Sequence, residues 1–439
     1  MPIKILFIDP EGCGLDFAMR CQAAGHDARL WIPNEHSGEE CPIGKGLVER
    51  VKDWKLSMKW ADLILPTTNS KYANDLEPFF EEGYPILGAN KEGAELELNR
   101  EKGQSILISA GIECLPNKVF DNYDEAIAHV IKTKQAFVSK PWGGNMDKAM
   151  TYVSRSPADM IFKLQNWKKT QKLKGKFMLQ EKTEGIEMGI GAWFGPGGWC
   201  SWLEENWEEK KLMNEGLGCN TGEQGTIMRF VKSSKLFKEA MEAVGDYLHD
   251  VGYVGNVDVN CMIDESGQAW PLEFTMRFGW PAFNLQAAVL RGDPAEWMVD
   301  LLNGKDTMRV DEDIIVGVVL SHGDYPHSRL PTEAVCGVPL GGITGRNFDQ
   351  MHFQNVMEGM APNDEGKMKR TYVTAGDYIL VVTGKGTMIR EAQREAYRAC
   401  WQVEANTPCD IGFRTDIGDR LKKELPKLQE YGYALGMEY

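Results

Sequence analysis

The chain has 439 residues, 43% of them hydrophobic, which is ample for more than one core and sets an expectation of two to four domains. Its formal charge of -15 argues against a nucleic-acid partner, which would require clustered Lys and Arg, and favours a small-molecule substrate. No apolar run approaches the ~18 residues of a membrane span, and the start is too short in apolar residues for a signal peptide, so no membrane and a cytoplasmic location are expected.

In chain order, Lys4 to Asp9 reads as a buried parallel strand, Pro10 to Gly14 as a glycine-containing turn, Leu15 to Ala24 as a helix and Ala28 to Ile32 as a second strand. Such a unit opens a ligand crevice at the strand's carboxyl end, where Gly12 and Gly14 serve equally as a tight turn or as part of a substrate cradle. Strands at 61–66 and 84–88, flanking a helix at 72–80, close a first domain over residues 1–98. A helix then runs through Arg100 to Gly111, and a further helix is expected from Asp124 to Thr133. The apolar strand from Ala136 delivers Lys140 into a glycine-bearing loop that carries Lys148, a pattern suited to closing ammonium and backbone N–H groups over phosphate, although no Walker loop is present. Trp199, Trp202 and Trp207 are expected to pack in a core. Lys235 to Val251 has the period of one amphipathic helix, Asn284 to Leu302 is helical, and a last part from Asp311 holds strands at 314–320 and 377–383 and a helix at 388–403. Ten cysteines without a C-x-x-C pair suggest buried thiols rather than a disulfide framework or a zinc site.

The most informative stretch is Val254 to Pro281. It alternates in period two, with Val257, Val259, Cys261 and Ile263 against Asn256, Asp258, Asn260 and Met262, turns at Asp264 to Gly267, and returns through Phe274. In extended chain Glu273, Thr275 and Arg277 project from one face. A carboxylate with a hard oxygen neighbour suits Mg²⁺, and Arg277 can neutralise a transferring phosphoryl group. The alternative is a surface hairpin with a solvated charged face.

Glu273-Phe-Thr-Met-Arg-Phe-Gly279 resembles the Glu-Phe-Asn-x-Arg-Phe-Gly signature of the phosphoribosylamine–glycine ligase family of ATP-grasp enzymes. The resemblance covers essentially the whole chain, including Tyr325-Pro326, Arg394-Glu-Ala-Tyr397 and Phe413-Arg-Thr-Asp-Ile-Gly418. It implies an α/β (α+β) ATP-grasp fold: the pre-grasp domain of residues 1–98, a grasp domain over 99–310 with a lid at about 114–184, and a carboxy-terminal domain over 311–439. It also implies ATP with Mg²⁺ or Mn²⁺ as cofactors and formation of an amide from an amino acid such as glycine and an amine, in the family phosphoribosylamine, by a monomer or homodimer.

Residue by residue, Arg100, Lys140 and Lys148 resemble the cations near the nucleotide phosphates. Gln180, Glu181 and Thr183 lie along the hinge that holds adenine, and Glu187 takes the ribose hydroxyls. Glu273, Thr275 and Asn260 would hold metal. Asn220, Thr221 and Gly222 resemble the loop beside glycine and its acyl phosphate, with Arg277 and Lys148 as the catalytic cations, and Gly12 and Gly14 belong to the first substrate loop. The chain departs from the family at Thr275, where Asn is usual, at Trp280 and Ala282 in place of Asp and Glu, at Thr67-Thr68 after Pro66, and in the first loop, which lacks Arg and His. Two other functions remain open: a ligase of the same mechanism using a different amine, and a nucleotide-binding protein without ligase chemistry.

Overall fold

The computed structural model describes residues 1–34, 38–141, 151–170, 175–363 and 365–439. Four segments first form a parallel sheet in the order Glu49–Arg50, Asp27–Trp31, Lys4–Ile8, Leu63–Pro66, the last two of them apolar runs. Its two faces enter different cores, with Ile5 and Phe7 on one side and Leu6 and Ile8 on the other, which explains the unbroken apolar runs. The strand expected at 84–88 is reduced to a bridge between Ile64 and Ile86, because the chain turns away to pair Gly88 with Val254 of the central sheet.

That central sheet has eight strands in the order Ala269–Thr275, Gly255–Asp264, Gly185–Gly195, Gly198–Met213, Leu217–Val231, Ile314–Ser321, Tyr378–Gly386 and Met351–Phe353. Every pairing within it is antiparallel. It passes residue 311 without interruption, since Gly225 to Met228 pair with Val318 to Ile315. A separate four-stranded sheet, Asn117–Phe120, Phe177–Glu181, Phe137–Pro141 and Tyr152–Val153, carries the helices Tyr123–Thr133 and Pro157–Thr170 on a small core of its own around Phe137, Trp167 and Phe177.

Further sequence expectations change in the structure: the helix expected at 284–302 is split into Ala282–Val289 and Glu296–Leu302, with Leu290 between them bridging to Val310. The single helix at 235–251 is broken into Lys235–Ala240, a 3₁₀ turn at Glu242–Val244 and Gly245–Asp250. Met241 leaves helical geometry at φ -143°, and the Trp199 indole donates to the Glu242 carbonyl at 3.2 Å, so a side chain from the neighbouring strand takes an acceptor at the break. The stretch at 217–225 is the start of the long strand Leu217–Val231 rather than a loop. Trp207 is fully buried as expected, whereas Trp199 and Trp202 are half-buried; Trp202 lies beneath the Lys232 ammonium.

Candidate active site

The four-stranded sheet meets the central sheet at Lys140. Pairing of Gly255–Asp264 with Ala269–Thr275 slips between Asn260 and Cys261, leaving Leu272 as an extra residue between Glu273 and Pro271. Such a bulge frees a carbonyl from the ladder, and the Lys140 Nζ donates to Leu272 O at 3.2 Å. Lys140 is 6% exposed, and burial brings its ammonium down to about 8, with Glu273 opposing the fall and Arg100 adding to it. Glu273 itself accepts from Arg100 at 2.6 Å. Arg100 starts the helix Arg100–Ser109, which Asn99 caps by accepting from Lys102 N–H, so the guanidinium is held at a helix N-terminus facing the carboxylate strand.

At the hinge, Gln180 is 1% exposed and neither its amide oxygen nor its nitrogen has a hydrogen-bond partner among the described residues. A buried amide left in this state costs about 1–3 kcal/mol, and a ligand offering both donor and acceptor, as an adenine edge does, relieves it. Glu181 and Thr183 follow as half-buried residues at the strand end. Lys148 and the rest of residues 142–150 lie outside the described residues.

The strand Gly198–Met213 contributes residues that the sequence reading passed over. Its run Glu204-Glu205-Asn206-Trp207-Glu208-Glu209-Lys210-Lys211 alternates between two environments. Glu205 pairs with Arg229 at 2.7 Å, and Glu209 pairs with Arg420 at 3.0 Å and Arg414 at 3.3 Å. On the other side the Lys210 Nζ sits 2.7 Å from Glu187 and 3.0 Å from Glu208. Burial opposes the Glu187 charge, yet Lys210 holds its carboxyl below the ordinary value. Glu208 in turn accepts from Asn260 Nδ2 at 3.0 Å, and Asn260 stands opposite Glu273 in register. Glu187, Lys210, Glu208, Asn260 and Glu273 therefore form a continuous polar patch. The period-two alternation was the available signal, but eight consecutive polar or aromatic residues also fit a solvated strand.

Farther along the same face the side chains are buried. Asn256, Asp258 and Asn260 are 5–8% exposed, so the polar face of the strand Gly255–Asp264 is not solvated. Gly189 and Gly191 make the room: a Cβ on Gly189 would lie 2.1 Å from Asn206 Oδ1, and one on Gly191 would lie 3.1 Å from Asp258 Oδ2. Asn206 Nδ2 bridges Glu204 at 3.2 Å and Asp258 at 2.7 Å, while Gln286 donates to Glu204 and accepts from the Trp193 indole. Burial pushes Glu204 up to about 7 and raises Asp258 and Glu223 well above the carboxylate range.

Arg277 does not stay with Glu273. The strand ends at Thr275, and Arg277 turns to Glu97 at 3.3 Å; that attraction outweighs burial and holds its charge firmly. Glu97 also accepts from Asn69 at 2.8 Å and Met276 N–H at 2.9 Å. Arg277 thus lies between the hairpin and the first loop, near Glu11 and Cys13. In that loop Gly12 adopts φ +77°, and the Cys13 and Gly14 N–H groups donate to buried Asp9 at 3.2 and 2.8 Å. Thr221 donates to Lys210 O and accepts from Gln224. Asn220 pairs with Lys211, while Gly222 faces open space. Thr275 pairs with Asp258.

An antiparallel central sheet with a carboxylate-bearing polar face, joined to a four-stranded sheet across Lys140, is the arrangement of the ATP-grasp fold. The phosphoribosylamine–glycine ligase of Thermotoga maritima superposes with a TM-score of 0.69 at 19% identity, over 94% of this chain and all of that one. The biotin carboxylase domain of the Hydrogenobacter thermophilus 2-oxoglutarate carboxylase, solved with MgADP, superposes at 0.62 with 11% identity, over 94% and 92% of the two chains. No family model matches. By sequence, the Halalkalibacterium halodurans phosphoribosylamine–glycine ligase is 24% identical over 85% of each chain, and that of Neisseria meningitidis serogroup B is 23% identical over 79% of this chain and 81% of its own. In sequence and in fold the chain is thus similar to phosphoribosylamine–glycine ligases.

Proposed function

We propose that the protein is an ATP-dependent carboxylate–amine ligase that forms an amide through an acyl phosphate, with glycine or a similarly small amino acid as the carboxylate and an amine other than phosphoribosylamine as acceptor. The observation that carries the nucleotide reading is the junction of lid and sheet: buried Lys140, the Arg100–Glu273 pair and the unpartnered Gln180 amide converge where a triphosphate and an adenine edge would satisfy them. The metal reading fits the donors present. Among the described residues no three His, Cys or acidic groups close into an all-protein cage, and Mg²⁺ needs only one or two carboxylates with water and phosphate completing its shell. Glu273 and Glu208, with the Asn260 amide and the Thr275 hydroxyl, are the residues that would hold it. There it would supply neutralisation of developing phosphoryl charge.

The chain's own residues do the positioning. Lys140 and Arg100 bind the phosphates, Gln180, Glu181 and Thr183 orient the base, Glu187 with Lys210 sets the ribose, and Arg277 faces the acyl group at the border with the first domain. Lys148 is proposed to close over the phosphates from the lid loop. Asn220, Thr221 and Gly222 are proposed to border the amino acid.

An altered acceptor is supported by the first loop. Two of its N–H groups are already taken by Asp9, so they are not free to cradle a sugar phosphate as unpaired turn amides do. Trp280 packs against Phe278 and Phe283, and burying a phosphoribosyl hydroxyl there would cost about 1–3 kcal/mol per unsatisfied group. The test is steady-state ligation of glycine to freshly generated phosphoribosylamine beside a panel of other amines, read as ADP release and product mass. Glycine-dependent turnover only with another amine is expected; efficient glycinamide ribonucleotide formation would overturn the altered acceptor.

A further inference from the structure

We infer that the buried carboxylates on the central sheet's polar face form a subsite for the primary ammonium group of a substrate, an inference that rests on the ligase reading above. Glu223 lies on the strand Leu217–Val231, Asp258 on Gly255–Asp264, and Glu204, Asn206 and Glu208 on Gly198–Met213, and Asn206 joins Glu204 to Asp258 by donating to both. Glu223 and Asp258 are 7% and 8% exposed; Glu208 and Glu204 act electrostatically on both, and Asp258 acts on Glu223. Lys210 is the cation that acts on both.

Three acceptor atoms there lack a hydrogen-bond partner among the described residues: Glu223 Oε1, Asp258 Oδ1 and Asn206 Oδ1. Buried polar atoms are ordinarily paired. Oxygens held in this state call for a compact donor carrying positive charge, and a primary ammonium with its three N–H groups matches both demands. A metal ion matches less well, because among the described residues no three carboxyl groups close on one point.

Hydrogen bonds and strand register connect the set to both ends of the polar face. Asn260 and Glu208 link it to the Glu273 end, while Gln224, next to Glu223, reaches Thr221 and Tyr325. An ammonium lodged here therefore lies beside the segment assigned to the amino acid and within one strand of the metal-facing residues. Such a group could come from the amino acid's own α-nitrogen or from a cationic acceptor.

Calorimetric titration of the full-length protein, loaded with a non-hydrolysable ATP analogue and Mg²⁺, separates these sources. The ligands are glycine, putrescine and propionate, the last a small carboxylate without an ammonium group. Binding of glycine or putrescine, weakened at least tenfold in both Glu223→Gln and Asp258→Asn while affinity for the ATP analogue changes less than twofold, is expected. Glycine alone assigns the subsite to the amino acid, and putrescine alone to the acceptor. Binding by neither, equal binding of propionate, or affinities unmoved by both isosteric substitutions would overturn the subsite. Absence of ATP-analogue binding in the wild type would instead remove the ligase reading, and glycine and putrescine titrated without nucleotide would then still decide the subsite.

Discussion

Replacing Lys140 by Met should make the nucleotide-free protein more stable at neutral pH while crippling it as an enzyme. The buried ammonium ionises at about 8 rather than 10.5, a gap equivalent to about 3 kcal/mol against the charged form. Subtracting about 1 kcal/mol for the lost hydrogen bond to Leu272 O leaves a gain of about 2 kcal/mol for the variant. The pH dependence has a fixed sign. Below pH 8 the lysine is charged in both folded and unfolded chains, so its full penalty is present. Between about 8 and 10.5 the unfolded chain binds the proton more tightly, so wild-type stability rises with pH and the advantage of Met fades. Denaturation of both proteins at pH 7 and pH 10 measures this directly. Phosphate beside Lys140 should restore its proton, so at pH 8.5, where about three-quarters of the group is neutral, nucleotide binding should take up a proton in wild type and not in the variant. Turnover should fall with the loss of about 2–4 kcal/mol of transition-state stabilisation, tens- to several hundred-fold. A variant less stable than wild type at pH 7 with unchanged kcat/KM for ATP would refute the reasoning.

Glu273→Gln should abolish metal-dependent turnover and leave the circular dichroism spectrum unchanged, since Glu273 is a third exposed and contributes little to the core; near-full activity would remove it from the metal site. Glu208→Gln, which leaves Asn260 without a carboxylate partner, should raise the Mg²⁺ concentration for half-maximal activity about 10–100-fold. Gly189→Ala should destabilise by about 1–3 kcal/mol, because its Cβ would lie 2.1 Å from Asn206 Oδ1. Gly222→Ala, which faces open space, should stay within about 0.5 kcal/mol in the same denaturation assay.

Legibility in the sequence followed the range of the interactions. The hairpin at 255–275 was readable because strand period and turn chemistry are local, and so was the face that carries Glu273. That this polar face is buried was not readable, because burial is decided by glycines on the adjacent strand, Gly189 and Gly191, whose side-chain absence admits Asn206 and Asp258. Arg277 was misplaced relative to Glu273 for a similar reason: extended geometry was carried two residues past the point where Glu97 draws the chain away. Glu208, Lys210 and Glu223 were passed over because alternating charges on a strand look the same whether the partner is water or another strand. The broken helix at 241 depended on an indole forty-two residues earlier, a contact that no helical period encodes.

The continuous central sheet also governs the order in which the protein can be made. Strand Leu217–Val231 bears Glu223 and the segment proposed to border the amino acid, but its outer neighbour, Ile314–Ser321, is about ninety residues downstream and itself pairs with Tyr378–Gly386. While the chain is emerging from the ribosome, the edge at Gly225 to Met228 therefore stays open as a row of unpaired N–H and C=O groups, a template for misassociation. A product that stops before residue 314 would keep this edge permanently and would be expected to aggregate. The nascent chain thus has a window of vulnerability, set by translation speed, which closes only when strands remote in sequence arrive to seal the edge.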